Sequence, residues 1–355
     1  MSNHEVLHVN DSKARRAKIK LALILGFGSL SLVLLFILSL TTGVMDISFT
    51  EAMSGVWNLI QNGGMHQNVQ ELVLWQLRIP RALGVIAVGV GLSVSGAVMQ
   101  ALIKNPLVDP YITGVSSGAA LGVTAAVLAG VTIGGLGTFV TPVMAFIGAV
   151  GAFIFTMLLA EAAGGRPISY VLGGVIVGIA LQSGTTILMY YNADRLHGVL
   201  FWLFGSFAYL DWLSVIIMII GVSVLSAIML LFAKEFNVVL LGDEQARQLG
   251  MDVKKFKTGM FILVSALAAI SVAFTGVIGF VGLIVPHLVR MIIGGDHRLL
   301  LPASMVVGAN ILLLADIVCK TVMAPSELPI GAIISIIGAP FFGYLMIRMG
   351  KEYVM

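Results

Sequence analysis

Few residues in this chain of 355 have the types and spacing that a catalytic or metal site needs. Gly114-Val-Ser-Ser-Gly118 fits the G-x-S-x-G pattern around a hydrolase nucleophile, but that pattern requires a preceding strand, and this stretch opens an apolar helix. His287 has no second ligand nearby, and such a lone histidine is commonly a packing residue. The chain contains no G-x-x-x-x-G-K-[ST] phosphate-binding loop. These residues predict a protein that is not an enzyme and holds no metal, nucleotide or other cofactor itself.

The composition excludes the soluble classes of protein. Hydrophobic residues make up 59% of the chain and charged residues only 10%, and the mean hydropathy is +1.05. Soluble domains are roughly 45–50% apolar and about 25% charged, so too few charged side chains are present here to cover a water-exposed surface. Soluble enzymes, nucleic-acid-binding proteins and disordered chains are therefore excluded, and no nucleic-acid partner is expected.

The apolar runs predict an all-α polytopic membrane protein surrounded by lipid. A bilayer core of about 30 Å needs about 20 apolar residues per helix. Runs of that kind predict ten transmembrane helices, at Leu21–Thr41, Pro80–Leu102, Tyr111–Ala129, Val140–Leu159, Ser169–Tyr190, Trp212–Phe232, Phe256–Phe274, Gly279–Ile293, Pro302–Val322 and Pro329–Ile347. They make up one transmembrane domain, residues 21–348, between cytoplasmic tails of residues 1–20 and 349–355.

The distribution of basic residues predicts the orientation. With the N-terminus inside, all but four of the 20 Lys and Arg residues fall in cytoplasmic segments, the exceptions being Arg78, Arg81, Arg195 and Lys320. Cytoplasmic loops of membrane proteins carry such an excess. Both termini are therefore expected in the cytoplasm. Residues 43–77 then form an outer loop, and residues 234–257 form a charged cytoplasmic loop.

The cytoplasmic loop has a core at Leu241–Gly250 that predicts one or two short helices interrupted by Gly242 and Gly250. Glu244 and Arg247 are three residues apart and share one side of such a helix. Two interpretations remain: a solvated connection between spans, or an element that docks a cytoplasmic partner.

Asp316 is the one carboxylate well inside a predicted span, and Lys320 follows one helical turn later. An i,i+4 pair of opposite charge can neutralise its own burial, so this intramembrane pair is expected to have a structural role rather than to contact a substrate. The alternative is a coupling site, since ion-coupled secondary transporters carry ionisable groups within their spans.

Several segments together resemble one family. These are Gln76-Leu-Arg-Ile-Pro-Arg81, Gly91-Leu-Ser-Val-Ser-Gly-Ala-Val-Met-Gln100, Asn105-Pro-Leu, Gly114–Gly118, Leu241–Gly250, Gly279-Phe-Val-Gly-Leu-Ile-Val-Pro-His-Leu-Val-Arg290, Asp296–Pro302, Leu314-Ala-Asp316 and Glu327-Leu-Pro-Ile-Gly331. From about Trp75 to the C-terminus the chain resembles the FecCD-type permeases of type II ABC importers, which take up iron–siderophores, haem and cobalamin. The resemblance implies a ten-helix subunit of the cytoplasmic (inner) membrane. It pairs with a second copy of itself, below an extracytoplasmic substrate-binding protein and above two ABC ATPases that hold ATP and Mg.

The resemblance also implies roles for particular residues. Those matching the family's docking positions for the binding protein are Arg78, Arg81 and Lys320, and those matching its ATPase-coupling loop are Leu241, Gly242, Asp243, Glu244, Ala246, Arg247, Leu249 and Gly250. The family's cytoplasmic gate corresponds to Pro167, Ile168 and Ser169, where the chain departs from the small hydroxyl residues of the cobalamin relative. Ferric siderophore, haem and cobalamin all remain open as cargo, with an iron chelate favoured.

Overall fold

The computed structural model describes residues 3–130, 139–192 and 196–352, and within them the chain is helical without a strand. In chain order the helices are α1 (Asn3–Thr41), α2 (Phe49–Gln61), α3 (Val69–Val73), α4 (Ile79–Ile103), α5 (Val115–Leu128), α6 (Val140–Ala162), α7 (Pro167–Tyr191), α8 (Leu196–Leu203), α9 (Trp212–Leu231), α10 (Ala233–Leu240), α11 (Asp243–Gln248), α12 (Val253–Thr275), α13 (Val281–Ile293), α14 (His297–Thr321) and α15 (Ile330–Glu352). Each of the ten predicted spans corresponds to one of them. Among the described helices, seven are long and apolar enough to cross a membrane, while α5, α13 and the apolar part of α15 are shorter.

The two shortest spans begin inside the bundle. At about 1.5 Å per residue, α5 with 14 residues and α13 with 13 each reach only about 20 Å. Irregular backbone precedes both: a 3₁₀ turn at Pro110–Thr113 before α5, and residues 276–280 before α13. A Cβ on Gly282, in the first turn of α13, would lie 2.8 Å from the Pro110 ring, so the start of α13 packs against the 3₁₀ turn within the protein. Non-helical backbone at membrane depth is tolerated where protein surrounds it.

Helix α4 is the centre of the bundle and is buried along most of its length, against α9, α12, α13 and α14. Small residues make this close packing possible. A Cβ on Gly89 would lie 2.6 Å from the carbonyl oxygen of Gly308, and one on Gly96 would lie 1.7 Å from that of Gly282. Glycine at such contacts lets helix backbones approach directly, as is common between transmembrane helices.

The outer loop folds into a small cap. Ser48 begins α2 with a capping box to Glu51, which satisfies free amide groups at the helix start. Leu40, Leu59 and Leu74 belong to the apolar cluster under the cap, and a π-helical turn at Leu74–Arg78 leads into α4.

The cytoplasmic loop contains two helices, α10 and α11, separated by Gly242 at φ 129°, as its glycines predict. Helix α1 begins at Asn3, so it includes most of the predicted tail of residues 1–20, whose lysines and arginines are good helix formers. At the other end α15 continues through residue 352. Arg195, an expected outer cation, lies outside the described residues.

We predict that Gly96→Ala destabilises the fold, because the new methyl group would collide with backbone of α13 that cannot rotate away. Overpacking of a filled core costs about 1–3 kcal/mol, and we expect the upper end of that range. Thermal unfolding of the detergent-solubilised protein measures the effect. Gly259→Ala in α12 is the matched control, since nothing lies within 4 Å of its added Cβ. If both variants unfold at the wild-type temperature, the close contact between α4 and α13 is wrong.

Candidate functional site

Helix α11 has one exposed side and one side packed against the bundle. Ala246 faces inward and is fully buried, whereas Glu244 and Arg247 are exposed. Leu241 and Leu249, on either side of this helix, are also exposed although both are large and apolar. A surface that combines two apolar side chains with a pair of opposite charges is suited to contact with another protein.

Asp243, the first residue of α11, faces the bundle instead. Its Oδ1 accepts hydrogen bonds from Lys104 Nζ at 2.7 Å and from Lys257 Nζ at 2.8 Å, and its Oδ2 lies 2.7 Å from Lys257 Nζ. Lys104 ends α4 and Lys257 lies in the first turns of α12. Sequence reasoning missed both lysines, because Lys104 is 139 residues away from Asp243 and no pattern joins them.

The two lysines keep Asp243 ionised. Partial burial by itself raises the pKa of this carboxyl group, but the hydrogen bonds and positive charges of Lys104 and Lys257 outweigh that effect, and the pKa lies below its usual range. The carboxylate is therefore charged at neutral pH.

A second contact holds the helix before α11. Asn237 in α10 donates from Nδ2 to Asp296 Oδ1 at 2.6 Å and accepts from the backbone N–H of His297 at 2.9 Å. The Arg298 guanidinium beside it lowers the pKa of Asp296 to about 2. The pair of cytoplasmic helices is thus attached to the bundle at α4, α12 and the start of α14.

The gate segment, defined as Pro167, Ile168 and Ser169, begins α7. Ile168 is exposed, and the buried Ser169 donates from Oγ to the carbonyl of Ala163 at 3.3 Å. Pro167 and Ile168 line a cavity of about 710 Å³ together with Lys104 and the residues that follow it. The expected gate positions therefore lie beside the end of α4.

The residue after the gate segment is attached to two other helices. Tyr170 donates from its hydroxyl to Glu161 Oε1 of α6 at 2.6 Å, and its ring stacks on Phe261 of α12 with centroids 4.4 Å apart. Lys254 of α12 also contacts Glu161, with Nζ 2.8 Å from Oε2. These contacts fix the start of α7 against α6 and α12.

One side of α7 is not covered by the rest of the chain. It exposes large apolar side chains, among them Leu172, Ile176 and Ile179. Near its middle, a shallow groove of about 450 Å³ is lined by Tyr111, Ser117, Gln182, Ser183 and Thr186 together with small and apolar neighbours. The polar groups among these are uncharged donors and acceptors.

An ion-pair cluster lies at the outer end of α4 and is defined as Arg81, Asp316, Lys320 and Glu327. Arg81 approaches Asp316 with two nitrogens, Nη2 at 2.8 Å and Nε at 3.0 Å from Oδ1, and its Nη1 lies 2.7 Å from Glu327 Oε1. Lys320 Nζ is 3.3 Å from Asp316 Oδ2. The Asp316 side chain is 1% exposed and that of Glu327 is 37% exposed.

Arg78, Arg81 and Lys320, the expected docking positions, all have partners within this chain. Arg78 is buried and donates to the backbone carbonyls of Leu40 and Met45. Lys320 is also buried, and donates to Ser39 Oγ at 2.8 Å besides its contact with the cluster. Packing of α14 and α1 around the start of α4 brings acceptors to all three, because a buried cation without a partner would be too costly.

The remaining motifs form no catalytic or metal site in the described residues. Ser116 and Ser117 lie in the first turn of α5 after a 3₁₀ turn, not after a strand. His287 is buried with its ring 6.2 Å from that of Phe342. No group of three His, Cys, Asp or Glu side chains able to hold a metal occurs in the part of the chain that the structure describes.

Comparison with known proteins identifies the family. The sequence model of the FecCD transport family matches residues 31–348. The chain is 36% identical to the hemin transport system permease protein HmuU of Yersinia pestis, over 93% of this chain and 97% of that protein. It is 38% identical to the vitamin B12 import system permease protein BtuC of Escherichia coli, over 79% of this chain and 85% of that protein.

A solved structure shares the fold. It is described as an inward-facing conformation of a metal-chelate type ABC transporter, and it superposes with a TM-score of 0.80 at 31% identity, covering 92% of this chain and 99% of that one. The resemblance found in the sequence is thereby confirmed, and this multi-pass membrane protein belongs to the FecCD transport family.

Proposed function

We propose that the chain is the transmembrane permease subunit of an ATP-binding-cassette importer, which carries a metal chelate across the cytoplasmic membrane. The observation that carries this proposal is the family match over residues 31–348. The energy comes from a separate ATPase subunit that holds ATP and Mg, since this chain has no phosphate-binding loop. It is a transport protein and performs no chemistry on its cargo.

The uncovered side of α7 supports a homodimer with the transport pathway between its two copies. An apolar helix side can also face lipid, but Gln182 is exposed on α7 as well, whereas the exposed Ser183 and Thr186 donate to carbonyls of their own helix. The amide of a glutamine in a transmembrane helix faces a protein interior or a water-filled space, because hydrocarbon gives it no partner. A second copy of α7 across a wet pathway satisfies both kinds of side chain.

The cargo class follows from the relatives and agrees with the groove. One relative is named for hemin and another for vitamin B12, both of which are metal chelates. The groove beside α7 offers uncharged hydrogen-bonding groups and no fixed charge, which suits brief contact with a chelate whose metal is already enclosed. Ferric siderophore, haem and cobalamin all fit this description, and an iron chelate is our preferred cargo.

We predict ATP-driven uptake in vesicles that contain the permease, its ATPase and a binding protein loaded with a ferric siderophore, hemin or cyanocobalamin in turn. Uptake of one of them should require ATP, stop on addition of vanadate and persist with a protonophore. Uptake that needs an ion gradient and ignores vanadate would favour the ion-coupled secondary transporter instead.

We predict that replacing Glu244 and Arg247 of α11 together by alanine lowers transport and uncouples ATP hydrolysis from it. Both side chains are exposed on the surface proposed to meet the ATPase, so the fold should be unaffected. Uptake and ATPase activity of the same vesicles measure the effect, and membrane abundance is the control for folding. Wild-type coupling in the double variant would contradict the docking role of α11.

On the outer side, we propose that the binding protein docks through acidic residues at Arg81, with Arg78 and Lys320 contributing positive potential from beneath. Arg81 is already paired with Glu327, whose carboxylate is 37% exposed. An incoming acid would therefore compete with Glu327 rather than with Asp316, which is buried behind it. Charge-assisted hydrogen bonds of this kind contribute roughly 1.5–3 kcal/mol when they form.

We predict that Glu327→Gln strengthens docking of the binding protein, because it removes the internal competitor for Arg81. A partly exposed ion pair is worth about 0.2–1 kcal/mol, so the affinity should rise by up to about fivefold at low salt. Binding to the permease in nanodiscs measures it. Glu51→Gln is the matched control, an exposed acid of the outer cap whose amide can still bond to Ser48. Equal changes in both variants would show that Glu327 does not compete at Arg81.

A further inference from the structure

Asp243 connects the exposed cytoplasmic helix with the ends of two buried spans. Its carboxylate contacts Lys104 at the end of α4 and Lys257 near the start of α12, each within 2.8 Å. Glu244 and Arg247 of the same short helix are exposed. One residue of α11 thus binds the bundle, while its neighbours are free to meet a partner.

The contact with Lys104 connects Asp243 to the gate segment. Lys104 ends α4 in a left-handed conformation, at φ 57°, which turns the chain sharply into the loop that follows. That loop and Lys104 line the same cavity as Pro167 and Ile168. A displacement of Lys104 would therefore change the lining of the cavity that it shares with the gate segment.

The contact with Lys257 connects Asp243 to the gate segment through α12. The Lys257 side chain is only 10% exposed, so a displacement of Asp243 would act on α12 through this ion pair. One turn to either side, α12 contacts Glu161 through Lys254 and stacks Phe261 on Tyr170. Tyr170 directly follows the gate segment.

We propose that Asp243, Lys104 and Lys257 are positioning residues that transmit movement of α11 to the gate segment, through α4 on one side and α12 on the other. This inference rests on the proposed function, in which an ATPase contacts α11. A purely structural staple would instead hold α11 in place so that the ATPase can bind. The two roles differ in what is lost when the ion pairs are removed: the response of the gate segment in the first case, ATPase binding in the second.

The test uses a reporter that needs no knowledge of the cargo. Ile168→Cys places a thiol on an exposed gate position, whereas the natural Cys319 is buried and should label slowly with a maleimide. In the assembled permease–ATPase complex, the labelling rate is compared between the resting state and the state trapped with Mg-ATP and vanadate. Coupling between sites in proteins is commonly 5–150-fold, so we expect a change of about tenfold in the wild-type background.

We expect Asp243→Asn to reduce this change to less than about twofold, and Lys104→Gln to reduce it to an intermediate value because the Lys257 contact remains, while the ATPase still copurifies and hydrolyses ATP. Combining the two should lose no more than Asp243→Asn alone, because that variant already removes the contact with Lys104. Lys104→Arg retains the charge and should restore the response. Lys255→Gln is the matched control, since it removes a cation from an exposed ion pair with Asp252 at the start of α12.

Other outcomes would overturn the inference. A wild-type response in Asp243→Asn and Lys104→Gln would show that the ion pairs transmit nothing. Loss of ATPase binding in these variants would assign them the staple role instead. If the unaltered permease neither binds an ATPase nor responds to Mg-ATP and vanadate, the proposed function itself is wrong. Measuring the unaltered protein therefore separates failure of the proposed function from failure of this inference.

Discussion

The burial of α4 on nearly all sides is the constraint on which the rest of the structure depends. Four spans, α9, α12, α13 and α14, pack around it. Lipid tails are as apolar as leucine, so helices in a bilayer associate through close packing rather than through exclusion of water. Gly89 and Gly96 allow that closeness, since a methyl group at either position would overlap the backbone of a neighbour. The contact of Gly96 with Gly282 also fixes the position of α13, which has only 13 residues.

The two ends of this central helix carry the main charged contacts of the molecule. Arg81 at its outer end pairs with Asp316 of α14, and Lys104 at its inner end pairs with Asp243 of α11. Between Arg81 and Lys104, α4 runs for 22 residues, about 33 Å, without a charged side chain. Charges are least costly at the membrane surfaces, so polar chemistry concentrates there. The proposed outer docking surface and the proposed ATPase-coupling surface therefore share one stiff element.

The surroundings of Asp316 bear on the choice between importer permease and ion-coupled transporter. A coupling carboxylate has to gain and lose a cation during transport. Asp316 is 1% exposed and is held by Arg81 on one side and Lys320 on the other, so its charge is permanently compensated. This geometry agrees with the structural role that the i,i+4 spacing suggested. It also explains why Arg81, at the proposed docking position, is not free, since it neutralises the buried Asp316.

The sequence by itself determined the membrane class, the ten predicted spans, most of their ends and, through its motifs in order along the chain, the family. The spans depend on local features: apolar runs of about 20 residues, and prolines and glycines near helix boundaries. It also identified α11 as a separate short helix, because Gly242 and Gly250 interrupt the chain on either side.

Only the tertiary structure decided which charges meet. Arg81 and Asp316 are 235 residues apart, and Lys104 and Asp243 are 139 apart, so no spacing rule links either pair. From the sequence, Lys320 had an evident partner one turn away, whereas Arg81 appeared free. The physical reason is that a long-range ion pair is a consequence of which helices pack together. In a bilayer that choice depends on shape at glycine contacts spread over several helices, and not on any single segment of the chain.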